Sequence, residues 1–73
     1  MKDIQFKCTV DPENKFKIKD KILTTKHWKQ YMLEFDHREE VKVNLAALSG
    51  KDVLDYLSFI YKLKFEKVEK YLF

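Results

Sequence analysis

The 73-residue chain has one cysteine, one glycine and one proline, and no long apolar run. A single thiol forms no internal disulfide, which excludes the disulfide-stapled secreted scaffolds and suits a reducing compartment. The sole glycine, Gly50, precedes Lys51-Asp52 without the spacing of a phosphate-cradling loop, so nucleotide binding is not expected. No apolar stretch approaches the roughly 20 residues that cross a bilayer, which argues against a membrane partner. Met1-Lys2-Asp3-Ile4 is not followed by an apolar signal region, and the expected location is the cytoplasm.

Soft and borderline metal ligands are equally scarce. Cys8, His27 and His37 are the only ones, and their spacing matches no zinc pattern. Cys8 falls on the apolar face of a strand and reads as a core thiol rather than a nucleophile. His27 and His37 bracket a helix, where cap or surface roles fit them. No Ser/His/Asp or Cys/His arrangement is present, so neither catalysis nor a cofactor is expected.

What the chain does have is aromatics and lysine. Eleven aromatic residues and the Leu/Ile/Val set must supply the core, because a chain of this size folds near the lower limit of self-sufficiency. One small domain is the expectation, with a hairpin over 3–23 and a helical part over 24–73. Net charge is +3, unevenly placed: residues 1–30 carry +4, residues 31–50 carry −2 and residues 51–73 carry +1. That asymmetry is compatible with an acidic partner but short of the concentrated basic patch of a dedicated nucleic-acid binder.

Ile4, Phe6, Cys8 and Val10 alternate with polar residues, the period of a half-buried strand. Asp11-Pro12-Glu13-Asn14 supplies turn chemistry. Phe16 and Ile18 then alternate with Lys15, Lys17 and Lys19, which predicts a second strand returning antiparallel to the first. Ile22-Leu23 is a short apolar run, followed by Thr24 or Thr25 as an N-cap. Trp28, Tyr31, Met32 and Phe35 at i, i+3, i+4 and i+7 predict a helix to about Phe35. A second helix is expected from about Arg38 to Ser49, with Val41, Leu45 and Leu48 inward, Glu39 and Glu40 suiting the positive end of the helix dipole, and Gly50 as the residue that closes it. A strand through Val41-Lys42-Val43 is the alternative. From Lys51, Val53, Leu54, Leu57, Ile60 and Tyr61 give a third helical face. Phe65, Val68 and Leu72 outline a fourth helix after a break at Lys62 to Lys64. The expected fold is therefore α+β, an N-terminal antiparallel hairpin packed against three or four short helices.

Two surfaces remain for function. Lys7, Lys15, Lys17 and Lys19 form an electrostatic face on the hairpin, able to approach phosphates or to keep its edge from pairing with another copy. Single-strand binders interleave exposed aromatics with such lysines, whereas Phe6, Phe16 and Ile18 lie on the alternating face assigned to the core. A small basic nucleic-acid-binding protein, or a regulatory or inhibitor protein, is accordingly the second reading. The first is a protein-binding module. Tyr and Phe residues in the last third exceed what one small core hides, and Phe59, Tyr71, Leu72 and Phe73 are the candidate anchors. The apolar ending Tyr71-Leu72-Phe73 either docks into a core or partner or marks a piece of a longer protein. A surplus apolar face serves self-association equally well, so oligomeric state stays open.

The order of hairpin, Leu23-Thr24 entry, aromatic helix, acidic break, Leu45-Ala46-Ala47-Leu48-Ser49-Gly50 step, acidic helix and terminal Tyr71-Leu72-Phe73 resembles small tail-assembly and baseplate-hub assembly proteins of tailed bacteriophages. The pattern spans residues 16 to 73 and carries over no individual functional residue. It implies a non-enzymatic assembly component or chaperone that binds other tail or baseplate proteins, in the host cytoplasm or on the virion.

Overall fold

A computed structural model describes residues 4–68. Its elements in chain order are β1 (Gln5–Val10), β2 (Ile22–Thr24), α1 (Thr25–Leu33), α2 (Glu39–Ala47), α3 (Lys51–Tyr61) and β3 (Lys64–Lys67). The fold is α+β. The three strands form one antiparallel sheet in the order β2-β1-β3.

β1 forms where the alternation predicts it, and its Phe6 and Cys8 are buried. Ile4 and Val10, expected on the same face, are about two-fifths exposed. The register shift between Cys8 and Val10 opposite Lys64 turns Val10 outward. The partner strand in the hairpin also differs from expectation. Residues 16–18 are not a strand, and β1 pairs with β2 instead, Phe6 opposite Leu23 and Lys7 opposite Ile22.

The reason lies in Asp11. Its carboxylate accepts the backbone N–H of Phe16 (3.1 Å) and of Ile18 (3.2 Å), the donors that a strand would have given to a neighbour. Glu13, Asn14, Lys17 and Asp20 all adopt positive φ, so the crossover that joins β1 to β2 over residues 11–21 coils rather than extends. Phe16 and Ile18 are still buried. Their alternation with lysine reports which side chains face inward, while the backbone between them is left-handed at Lys17.

Thr24 caps α1, its hydroxyl accepting the His27 N–H at 3.3 Å. Trp28 and Met32 are fully buried. The indole N–H of Trp28 donates to the Phe6 carbonyl (3.1 Å), and its ring meets Phe65 edge-on at 5.1 Å, so one side chain joins α1 to β1 and β3. α2 is helical through Val41 to Val43, with Val41 and Leu45 buried. Lys29 on α1 donates to the Leu48 carbonyl just past the α2 C-terminus (2.8 Å), and Asn44 donates to the Tyr56 hydroxyl (3.0 Å) to link α2 with α3.

Gly50 is needed, but for a different junction than expected. With φ 58° and ψ −139° it precedes the first turn of α3, while α2 ends at Leu48 in an extended conformation. Only glycine occupies that backbone region without strain. α3 buries Val53, Leu54 and Leu57, then stops at Lys62 in the left-handed conformation. The expected fourth helix does not form over 64–67. β3 lies there instead, pairing with the second side of β1, Cys8 opposite Phe65 and Lys7 opposite Glu66. A free side of a central strand offers unpaired N–H and C=O groups, and pairing them outweighs a weak helical spacing.

Candidate interaction site

Phe59 sits near the C-terminal end of α3 and is 76% exposed, the most exposed large apolar side chain among the described residues. With 3.6 residues per turn, Asp52, Asp55, Phe59 and Lys62 follow one side of α3, opposite Val53, Leu54 and Leu57. All four are exposed. The other aromatics of the region, Tyr56, Tyr61 and Phe65, are partly covered by the core. Among the described residues of this stretch, Phe59 is therefore the ring the fold leaves most open to solvent. Tyr71, Leu72 and Phe73, its companions in the sequence reading, lie outside the described residues.

The four candidate lysines do not share a strand pair. Lys7 stands in β1 between Ile22 and Glu66. Lys15, Lys17 and Lys19 are exposed on the crossover that replaces the expected strand. The Lys15 ammonium lies 5.4 Å from the Phe16 ring centre, and Lys21, which the sequence did not single out, lies 5.5 Å from that of Tyr31.

Sequence reading missed a cleft. The crossover, the α1–α2 connection and the end of α3 border an open, largely polar depression of about 420 Å³, lined by Lys15, Phe16, Phe35, Asp36, Arg38, Ile60 and Tyr61. The rings form a continuous edge-to-face series, Tyr31 to Phe35 at 5.2 Å, Phe35 to Phe16 at 5.7 Å and Phe16 to Tyr61 at 4.9 Å. Phe35 was expected on the buried side of α1. Two residues beyond the helix end, its ring is instead half-exposed.

Asp36 organises the polar side of this cleft. Its carboxylate accepts from Arg38 Nε (3.0 Å) and Nη2 (2.7 Å) and from the Tyr61 hydroxyl (2.5 Å). Hydrogen bonds from Arg38, helped by Tyr61, hold the Asp36 carboxyl well below the usual carboxylate range. Burial, reinforced by Asp36, pushes the Tyr61 phenol above its ordinary range. Both groups keep their protonation state throughout the neutral range, so the trio acts as a clasp between the α1–α2 connection and α3 rather than as an acid–base pair.

No family model, characterised protein or solved structure matches this chain. Functional inference rests on the surfaces themselves. His27 and His37 are exposed, and Cys8 is a fully buried thiol that donates to the Val10 carbonyl at 3.4 Å. Among the described residues no group of three or more His, Cys, Asp or Glu side chains gathers at one point to hold a metal ion, and no helix is long and apolar enough to cross a membrane.

Proposed function

We propose that this chain is a non-enzymatic protein-binding module of a larger assembly, with Phe59 as the apolar anchor of its contact face. The supporting observation is the 76% exposure of that ring on the side of α3 opposite the core. Removing such a side chain from water contributes about 1.5–3 kcal/mol. Asp52, Asp55 and Lys62 around it supply the polar rim that interfaces place about an aromatic anchor. Tyr71, Leu72 and Phe73 extend the anchor set in this reading, and the exposed lysines of the crossover steer the module toward an acidic surface. The phage-like order of elements suggests the setting, a tail or baseplate assembly component or chaperone in the host cytoplasm or on the virion.

The test is affinity capture with wild-type protein and Phe59→Asp, at low and high salt and with nuclease treatment. A protein partner that survives salt and nuclease and is lost with Phe59→Asp, while thermal stability is kept, supports the reading. Capture unaffected by Phe59→Asp, or recovery only of nucleic acid that salt removes, overturns it.

A further inference from the structure

We infer that the outer edge of β3 is a self-association site. A second copy of this chain adds its own β3 antiparallel to the first about a two-fold axis at Phe65, with Lys64 of each copy opposite Glu66 of the other. The contact goes beyond the functional reading above and does not rest on it.

β1 is paired on both sides, so the sheet has two outer edges, β2 and β3. The β2 edge is three residues long and ends at Thr24, the cap of α1. β3 has four, and among the described residues no strand pairs with its outer side. The Val68 N–H donates to the Gln5 carbonyl (2.9 Å), and bonding direction alternates along an antiparallel strand. Glu66 therefore turns its N–H and C=O toward Lys7 of β1, whereas Phe65 and Lys67 turn theirs away from the sheet. Beside the start of this edge, Ser58, Lys62, Leu63, Lys64 and Phe65 line an open depression of about 510 Å³. Outward N–H and C=O groups in a row are a template for another strand.

Charge selects both the occupant and the register. Lys64 and Glu66 are exposed, and their alternation puts them on the same face of the sheet as Lys7. A two-fold axis perpendicular to the sheet passes through a residue that meets its own copy. Placed at Lys64, Glu66 or Lys67, it sets a like-charged pair directly opposite. Placed at Phe65, it sets Lys64 against Glu66 twice, in the closely spaced positions where cross-strand side chains interact best, while the two Phe65 residues exchange both backbone hydrogen bonds. Glu66 then stands between Lys7 of its own chain and Lys64 of the second copy. The other lysines of the edge, Lys62 and Lys67, come opposite Val68 and Leu63 and not opposite each other. On the adjoining flank of α3, Asp55 is held by Lys51 (3.0 Å). The lysine excess opposes any approach that lacks the Lys64–Glu66 match. A foreign strand would need the same Lys-x-Glu order, which the chain itself carries.

Sedimentation equilibrium at protein concentrations up to about 1 mM, on wild type, Lys64→Glu, Glu66→Lys and an equimolar mixture of the two variants, tests the register. Wild type is expected to dimerise. Each folded variant sets two like-charged pairs opposite and is expected to weaken the dimer about tenfold. The mixture is expected to recover it, because every acid of one edge then meets a lysine of the other. In wild type alone, amide exchange at Phe65 and Lys67 should slow as concentration rises while that at Glu66 stays constant, a measurement that needs no variant to fold. Wild type that stays monomeric, a dimer whose strength ignores both single changes, a mixture of folded variants that associates no better than its components, or exchange at Phe65 and Lys67 that ignores concentration overturns the proposal.

Discussion

Tyr61 donates its hydroxyl to Asp36 Oδ2 across 25 residues of chain, tying the end of α3 to the α1–α2 connection. Because Arg38 holds the same carboxylate, the bond has a charged acceptor and is of the stronger kind.

Tyr61→Phe keeps the ring against Phe16 and removes only this donor. We expect a loss of about 1.5–3 kcal/mol, the range for hydrogen bonds to charged groups, read as a lower urea midpoint with an unchanged slope.

The same carboxylate sets the acid limb of stability. The folded-state value of Asp36 lies below its ordinary value of 3.8, so its contribution is present above that value and is lost as pH falls toward the folded one. Asp36→Asn should be less stable than wild type near neutrality, and the two stabilities should converge as pH drops below about 4. A constant difference between them across an acid titration of thermal midpoints would refute the assignment.

Asp11 is buried, and its carboxylate takes two backbone N–H groups of the crossover. Asp11→Ala leaves both without a partner, at about 1–3 kcal/mol each, and Asp11→Asn, which keeps one acceptor oxygen, should lose less. Amide hydrogen exchange at Phe16 and Ile18 should accelerate in both variants before exchange in α1 does.

Burial, with the nearby Asp11 charge second, pushes the Cys8 thiol from 9.0 to about 11. A raised folded value means stability is complete below the unfolded value and falls as pH rises from about 9 through about 11. Cys8→Ala should flatten stability in that window. Below it, wild-type thiol should react with a disulfide reagent only at the rate of opening.

Gly50 and Lys62 form a reciprocal pair of backbone tests. A Cβ at Gly50 meets nothing within 4 Å, so Gly50→Ala isolates conformational strain, expected at about 1–3 kcal/mol. Lys62 holds a left-handed φ of 62° with a side chain; Lys62→Gly should raise stability by up to about 1 kcal/mol.

Where the sequence was legible, the signal was local and the element long enough to show its period. Trp28, Met32, Val41, Leu45, Val53, Leu54 and Leu57 are all buried as their spacing requires, and Thr24 caps α1 through its own hydroxyl. Residues 16–18 were misleading because alternation reports which side chains face inward. It says nothing of Lys17's φ or of an aspartate five residues upstream supplying the acceptors. Phe65 was placed on a helix by spacing shared with Val68 and Leu72, a window too short to separate the two periods. The cleft had no local signature at all, since Phe16, Phe35 and Tyr61 come from three separate segments.

The sequence by itself determined the α+β class and the inward positions of the helices at Trp28, Met32, Val41, Leu45, Val53, Leu54 and Leu57, because helical period is written in neighbouring residues. Only the tertiary structure decided that β1 is paired on both sides, that Asp11 replaces a strand for the crossover, and that Phe35 stays open to solvent. Those outcomes depend on which distant groups satisfy a backbone N–H and on which rings fill the limited space around Trp28, competitions that no local pattern resolves.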